Sequence, residues 1–223
     1  MRPWELLDTG AVPGDGAELR LLRRGDEFSI KSGYAELMNS RMHGSEDALA
    51  ELACRRIAAR AQPRLLIGGL GMGFTLAAAL PLLGPAAEIV VAELVPAVGR
   101  WNQGPLAVLT GAPLQDPRVT VHEDDVGHLI QAQQAAFDAV LLDVDNGPEG
   151  LTRTENDALY SNAGLAAAKA ALRPGGVLAV WSVSPAPAFS KRLRRAGFRV
   201  EEVRVRAHAG RGARHMIWLA SKS

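Results

Sequence analysis

The residues of this chain best suited to chemistry are a cluster of glycines and several carboxylates that follow apolar segments. Gly69, Gly71 and Gly73 come after the apolar residues 65–67. Glycine has no Cβ, so a turn built from it can adopt positive φ angles and let a ligand approach the backbone closely. Glu93 lies about 20 residues further on, at the end of a second apolar segment, where a carboxylate can accept both hydroxyls of a ribose. This spacing predicts a site for a nucleoside-containing ligand.

Two more carboxylate positions follow the next apolar segments. Asp124 comes after residues 119–122, and Asp143 ends the apolar run 139–142. Open α/β sheets bind ligands at the carboxyl ends of their strands, so we interpret Asp143 as functional. The alternative is that residues 143–148 form only a turn, because Asp, Asn, Gly and Pro all favour turns. Asp145 is close enough in sequence to act with Asp143, but two carboxylates are too few to predict a metal site.

The elements that position these residues alternate regularly from residue 63 onward. Strands are predicted at 64–67, 88–92, 119–122, 139–142 and 177–181, with helical segments after the glycine turn and around 96–109, 125–134 and 162–172. Such alternation predicts a doubly wound, mostly parallel α/β sheet with helices on both faces. A helix at 191–196 and two strands at 198–206 and 215–220, joined by a polar loop over 207–214, predict a C-terminal antiparallel hairpin. Together these strands are predicted to form a seven-stranded, Rossmann-like sheet.

The region before residue 63 is predicted to be a small extension of a β-hairpin and a helix. Strands are predicted at 18–23 and 27–31. Ser45 is predicted to cap a helix that carries Glu46 and Asp47 in its first turn and runs to about residue 60. Residues 34–43 are harder to assign and could form a lid over a substrate. We therefore expect two units, 1–62 as extension or lid and 63–223 as the ligand-binding domain.

The glycine spacing discriminates between cofactor classes. A dinucleotide fingerprint requires G-x-G-x-x-G, and here Phe74 occupies the third glycine position counted from Gly69. The G-K-[ST] of an ATP-binding P-loop is absent. The G-x-G-x-G that is present is the spacing common in class I S-adenosylmethionine (SAM) enzymes, whose sheet also ends in an antiparallel hairpin.

Several blocks of the sequence carry a more specific resemblance. They are residues 66–73, 92–96, 116–119 leading to 123–125, 137–143, 159–160 and 171–178, with a weaker match at 26–34. On these blocks, residues 63–182 resemble the spermidine synthase (polyamine aminopropyltransferase) family, a branch of the class I SAM-dependent methyltransferase fold. The resemblance implies a transferase of polyamine biosynthesis that takes SAM or decarboxylated SAM, needs no metal, acts on a small-molecule acceptor and forms a homodimer.

The resemblance also implies roles for individual residues. Glu93 would bind the ribose hydroxyls, Asp124 the adenine amino group, and Asp143 would lie beside the sulfonium and deprotonate or orient the attacking amine. The full set of implied ligand-binding residues is Gly69, Leu70, Gly71, Met72, Gly73, Glu93, Leu94, Asp124, Asp125 and Asp143. The implied catalytic residues are Asp143 and Asp145, and the candidate substrate contacts are Tyr34, Arg41, His43, Asn146 and Tyr160.

Three departures from the family pattern keep other functions open. Met72 stands where the family has an aspartate that grips the terminal amine of the ligand, Asn146 replaces a second aspartate, and a Tyr-His pair reads Tyr34-Ala35. An ordinary SAM-dependent methyltransferase of small molecules needs the same cradle without those aspartates. A non-catalytic binding protein of the same fold, and methylation of RNA through the basic segment 191–214, are the remaining hypotheses.

Composition limits the possible compartments and partners. The 223 residues carry a net charge of +1, which gives no general attraction to nucleic acid. No apolar run approaches the ~20 residues that span a bilayer, and the first residues lack the apolar stretch of a signal peptide. The single cysteine, Cys54, excludes an intrachain disulfide and is predicted to be a buried, inert thiol. We therefore expect a cytoplasmic protein that does not bind membranes.

Overall fold

The computed structural model describes residues 2–14, 16–144, 147–148, 158–208 and 211–223. Its N-terminal part is a four-stranded antiparallel sheet in the order β1-β2-β3-β4, with bounds β1 Glu5–Ala11, β2 Glu18–Arg24, β3 Glu27–Ser32 and β4 Ala35–Asn39. The predicted hairpin corresponds to β2 and β3. The two outer strands were not predicted, because β1 contains Asp and Gly and β4 lacks β-branched residues, both weak strand formers.

The first helix, α1 (Gly44–Ile57), differs in detail from the prediction at its start. His43 occupies the N-cap position without a side-chain capping bond, so the prediction that Ser45 is the N-cap is wrong. Ser45 lies inside the first turn, and its hydroxyl donates to Glu46 instead. The helix packs Leu49, Ala53 and Ile57 into the core beneath the main sheet.

The main sheet has seven strands in the order β10-β11-β9-β8-β5-β6-β7. The bounds are β5 Arg64–Gly68, β6 Glu88–Ala92, β7 Val119–His122, β8 Phe137–Leu142, β9 Leu172–Ser182, β10 Arg199–His208 and β11 Arg211–Ser221. Strands β5 to β9 pair in parallel, and β11 pairs antiparallel with both β9 and β10. This confirms the predicted Rossmann-like methyltransferase sheet with one antiparallel strand.

The helices that follow α1 cover both faces of this sheet. They are α2 Phe74–Ala79, α3 Pro96–Gln103, α4 Ala107–Thr110, α5 Val126–Gln131, α6 Asn162–Ala171 and α7 Pro187–Arg195. Successive residues of β5 point to opposite faces, as strand geometry requires. Leu65 and Ile67 belong to a buried core shared with α1, α2 and α3, whereas Leu66 belongs to the core shared with α5, α6 and α7. Cys54 is fully buried, as predicted, and burial raises its thiol pKa to about 12.

The C-terminal hairpin is longer than predicted. Strand pairing of β10 with β11 continues to His208 and Arg211, through most of the segment predicted as a loop. The sequence of this segment is mostly polar and lacks the apolar period by which a strand is usually recognised. His215, on β11, is half-buried with its ring centroid 4.9 Å from that of Trp181. Within the described part of the chain, no helix is long and apolar enough to cross a membrane.

Candidate active site

The predicted ligand-binding residues meet at the carboxyl ends of β5, β6, β7 and β8. The backbone N–H of Gly69 donates to the carbonyl of Ala92 over 2.9 Å, and the N–H of Asp143 donates to the carbonyl of Gly68 over 3.0 Å. These bonds join the ends of three neighbouring strands. Strand order reverses around β5 at this edge, which is where open α/β sheets form their ligand crevice.

The glycine turn has the geometry that its sequence predicts. Gly69 and Gly71 have φ angles of 88° and 52°. A Cβ on Gly69 would lie 2.5 Å from the carbonyl oxygen of Asp143, and one on Gly71 would lie 2.7 Å from the sulfur of Met38. The clash at Gly69 is with backbone and excludes any side chain, whereas at Gly71 the flexible end of Met38 could move and the positive φ is what favours glycine. The turn therefore provides a bare backbone surface against which a ligand can lie.

A residue that the sequence analysis did not identify holds this turn in place. The buried side-chain amide of Asn102, on α3, donates to the carbonyl of Gly71 over 2.8 Å and to that of Val98 over 2.9 Å. Gly73, at the N-cap of α2, packs against the same amide. An asparagine inside a helical segment gives no local signal of this role, because its partner lies about 30 residues earlier in the chain.

Glu93 follows β6 and is buried behind the turn. Its two carboxylate oxygens accept the backbone N–H groups of Leu70, over 2.9 Å, and Val95, over 2.8 Å. Burial raises the pKa of Glu93, and these backbone donors oppose the rise by stabilising the charged form. Glu93 therefore connects the glycine turn to the loop after β6 and fixes the position of its own carboxylate.

A cavity of about 250 Å³, here called the main cavity, lies in front of these residues. One side is formed by Gly69, Gly71, Glu93, Leu94, Asp124, Asp125 and Asp143. The other is formed by the N-terminal sheet and the turn after β1, through Val12, Ala17, Leu19, Ile30, Ser32, Leu37 and Met38. Apolar walls with a few convergent polar groups are typical of small-molecule sites. The bare glycine turn and the fixed Glu93 carboxylate fit an adenosine-type ligand.

Asp124 and Asp125 lie side by side after β7 but have different partners. Asp124 forms an ion pair of 3.0 Å with His128, and the hydrogen bond from that ring lowers the pKa of Asp124. Asp125 caps α5, accepting the N–H of Gly127 over 2.6 Å. Leu94 and Asp125 also border a neighbouring groove of about 390 Å³ along α5 and α6.

Asp143 directly follows β8, and its pKa is strongly perturbed. Desolvation and then the negative charge of Glu46 raise its pKa to about 7, while a hydrogen bond from the Thr75 hydroxyl, 2.6 Å long, acts in the opposite direction. Asp143 lines the main cavity and also a much smaller one beneath the glycine turn, here called the small cavity, which Leu70 and Met72 border. Neither Thr75 nor Glu46 was predicted from the sequence to be a residue of the site.

The candidate substrate residues are dispersed. Tyr34 is fully exposed at the turn between β3 and β4, and Arg41 pairs with Glu27 over 3.2 Å. His43 stacks on Phe74 with ring centroids 4.3 Å apart, next to the small cavity. Tyr160 is buried in the core against Phe189.

Two predicted site residues, Asp145 and Asn146, lie outside the described residues. Among the described residues, no group of three or more His, Cys, Asp or Glu side chains could hold a metal ion.

Comparison with known proteins identifies the fold family. The model of the spermine/spermidine synthase domain matches residues 102–191. No curated protein matches the sequence. The spermidine synthase of Thermotoga maritima superposes with a TM-score of 0.75 at 16% identity, over 98% of this chain and 73% of that one. A spermidine synthase in complex with the transition state analogue AdoDATO gives the same score and identity, over 98% and 72% of the two chains.

A methyltransferase structure matches less well. The O-methyltransferase TomG from Streptomyces achromogenes, in complex with SAM, has a TM-score of 0.55 at 16% identity, over 80% of each chain. The order of these similarities agrees with the resemblance found in the sequence, and the family match supports the predicted transferase. Residues 102–191 are therefore similar to the spermine/spermidine synthase domain, and the chain as a whole has the class I SAM-dependent methyltransferase fold.

Proposed function

We propose that this protein transfers an aminopropyl group from decarboxylated SAM to a small acceptor that carries an amine. The observation that supports this most directly is the position of Asp143. It lies where the main cavity and the small cavity meet, directly against the glycine turn. A carboxylate there can touch both the sulfonium of a bound donor and the nitrogen that attacks it.

The chain's own residues supply binding and proton transfer. The glycine turn, Glu93 and Asp124 would hold the nucleoside, and the negative charge of Asp143 would favour a sulfonium nearby. An amine must be neutral to attack carbon, and Asp143, with a pKa of about 7, can accept its proton at neutral pH. The Thr75 hydroxyl orients this carboxylate through its hydrogen bond.

The direct test is turnover of decarboxylated SAM with a panel of primary amines from propylamine to spermidine. Release of 5′-methylthioadenosine is followed by chromatography and mass spectrometry. We expect amine-dependent release by the wild type and a loss of at least about 100-fold in Asp143→Asn, the range for a positioned acid or base. The exposed Asp26→Asn serves as the control variant. Equal rates in Asp143→Asn and the wild type would exclude Asp143 as the proton acceptor.

Methyl transfer from SAM is the second candidate, and Met72 is the observation that favours it. This side chain is buried, 2% exposed, in the glycine turn where the family pattern has an aspartate. A thioether cannot pair with an ammonium group, so the turn itself shows no preference for decarboxylated SAM. Running the same amine panel with SAM and measuring S-adenosylhomocysteine distinguishes the two reactions.

The remaining expectations are also part of this proposal. We propose a cytoplasmic homodimer with a role in polyamine biosynthesis, and sedimentation velocity tests the dimer. A non-catalytic role would be supported by nucleoside binding without turnover of either donor. RNA methylation predicts salt-dependent retention on RNA through segment 191–214. Within that segment Glu202 offsets the charge of Arg194 through an ion pair, and Arg192 is held by the carbonyl of Tyr160.

A further inference from the structure

The small cavity beneath the glycine turn has the size of a single polar head group. Its lining residues are Met38, Asn39, Glu46, Leu70, Gly71, Met72, Phe74, Thr75 and Asp143. Its volume of about 10 Å³ is the space that the centre of one water-sized group occupies. Met38, Gly71 and Asp143 also line the main cavity, so the two spaces are adjacent and share a wall.

The walls of the small cavity differ in character from one part to another. Leu70, Met72 and Phe74 make one part apolar, whereas Glu46 and Asp143 place two carboxylates in the same space. Asn39 and Thr75 are the other polar lining residues, and no lysine, arginine or histidine is among the described residues that line it. A small space that is lined by apolar side chains and by two carboxylates is complementary to a positively charged group on a short alkyl chain.

Glu46 is held toward this space by a chain of hydrogen bonds from another element. The Ser45 hydroxyl donates to Oε2 of Glu46 over 2.6 Å. Because that hydroxyl donates its proton to Glu46, it accepts from Nδ1 of His215, 2.9 Å away on β11. Ser45 is fully buried, and His215 packs edge-on against Trp181. A glutamate in the first turn of a helix would ordinarily extend into water, so this fixed orientation is specific to the site.

The electrostatics of the pair are unfavourable without a counter-ion. The charge of Glu46 contributes to the raised pKa of Asp143, and burial raises the pKa of Glu46 itself, with Asp47 adding to the rise and His43 opposing it. A cation between two carboxylates would relieve both the repulsion and the desolvation. The electrostatics of Glu46 and Asp143 therefore favour binding of a positively charged group in the small cavity.

We propose that Glu46 is a specificity-determining residue that, together with Asp143, binds a primary ammonium group on a short apolar chain in the small cavity. This inference rests on the proposed function, because the ammonium belongs either to the aminopropyl arm of the donor or to the acceptor amine. In this proposal Glu46, on α1, supplies the negative charge that the family's aspartate supplies from the glycine turn, where this chain has Met72. Glu46 selects ligands that carry the ammonium group, and Asp143 remains the proton acceptor.

The test compares Glu46→Gln with the wild type against three nucleosides by calorimetry. 5′-Methylthioadenosine carries neither charge, 5′-dimethylsulfonioadenosine carries the sulfonium alone, and decarboxylated SAM carries the sulfonium and the amine. Glu51→Gln is the matched control on the same helix, where Glu51 is exposed and pairs with Arg55. Glu46→Asp keeps the charge and should recover part of any lost binding.

If the donor supplies the ammonium, Glu46→Gln should lose about 10- to 100-fold affinity for decarboxylated SAM, the range for one charged hydrogen bond, and bind the other two nucleosides as the wild type does. If the acceptor supplies it, the three affinities should stay unchanged while the KM for the amine rises at least about 10-fold. Unchanged affinities together with an unchanged amine KM would overturn the role of Glu46 alone. A wild-type protein that binds none of the nucleosides would overturn the proposed function and this inference with it.

Discussion

The hydroxyl of Thr75 donates a 2.6 Å hydrogen bond to Oδ2 of Asp143. This contact connects the first turn of α2 to the end of β8, and its two residues lie 68 positions apart in the sequence. It is the one described bond that stabilises the ionised form of Asp143 against burial and against Glu46. The chemistry expected of Asp143 therefore depends on the helix that the glycine turn begins.

Removing this bond should shift the pH dependence of the reaction. In Thr75→Val the ionised Asp143 loses a donor, so its pKa should rise further above about 7. A hydrogen bond to a charged group contributes roughly 1.5–3 kcal/mol, which corresponds to a shift of about one pH unit or more. The lower inflection of kcat/KM against pH, which reports the free enzyme, should move upward by that amount. Thr75→Ser should keep the wild-type profile, and an unmoved inflection in Thr75→Val would contradict this assignment.

The raised pKa of Asp143 also predicts a pH-dependent stability. The pKa of about 7 in the folded protein lies above the ordinary value of 3.8, so the contribution of Asp143 to stability is full below pH 3.8 and is lost as pH rises through about 7. Asp143→Asn carries no charge at any pH. Its free energy of unfolding relative to the wild type should therefore increase between pH 4 and pH 8, by at most about 4 kcal/mol.

Urea unfolding across that pH range measures the effect. Asp26→Asn, at an exposed turn, shows how much of the change comes from removing any carboxylate. A difference between Asp143→Asn and the wild type that does not change from pH 4 to pH 8 would argue against a perturbed Asp143.

Asn102 should be required for nucleoside binding although it is a residue of a helix interior. Asn102→Ala removes the donor to Gly71, which leaves the turn free to adopt other conformations. We expect the affinity for 5′-methylthioadenosine to fall roughly 10-fold, in line with the loss of one buried hydrogen bond. Gln103→Ala changes an exposed neighbour on the same helix and should leave binding unchanged. Equal Kd values for the two variants would show that the turn does not need this amide.

The contact of β1 with α3 should be sensitive to a single methyl group. A Cβ on Gly10 would lie 2.3 Å from Cβ of Ala97, so Gly10→Ala must displace the strand from the helix. We expect about 1–3 kcal/mol of destabilisation, typical of overpacking. Gly99→Ala, on the same helix with open space at its Cβ, should instead stabilise by about 0.5–1 kcal/mol. Thermal unfolding separates the two, and equal melting temperatures would refute tight packing at Gly10.

Local patterns in the sequence were sufficient for the central strands and for the ligand-binding edge. The apolar runs of β5, β6 and β8, the glycine turn, and the carboxylates that end those strands are all defined by neighbouring residues. The spacing of Gly69, Gly71 and Gly73 likewise indicates the turn by itself, because the backbone angles there are permitted mainly to glycine.

What the sequence did not reveal depends on contacts between distant segments. Glu46 acts on Asp143 only because α1 packs beside α2, and Asn102 reaches Gly71 only because α3 lies against the turn. The outer strand β1 forms by pairing with β2, despite its own weak propensity. The capping residue of α1 was predicted wrongly because Ser45 has a partner in Glu46 that competes with the backbone N–H groups.

The N-terminal sheet and α1 approach the glycine turn through Met38 and Glu46, whereas the cavity-lining carboxylates Glu93, Asp124 and Asp143 follow strands of the main sheet. The two halves of the site are therefore encoded in separate stretches of the gene. Side chains of the N-terminal sheet that face the main cavity, such as Leu37 and Met38, can therefore be varied while Glu93, Asp124 and Asp143 are kept constant. The helix α1 cannot be exchanged with them as a block, because its buried side chains belong to the core beneath the main sheet. The architecture suits directed evolution of ligand preference from one wall of the main cavity.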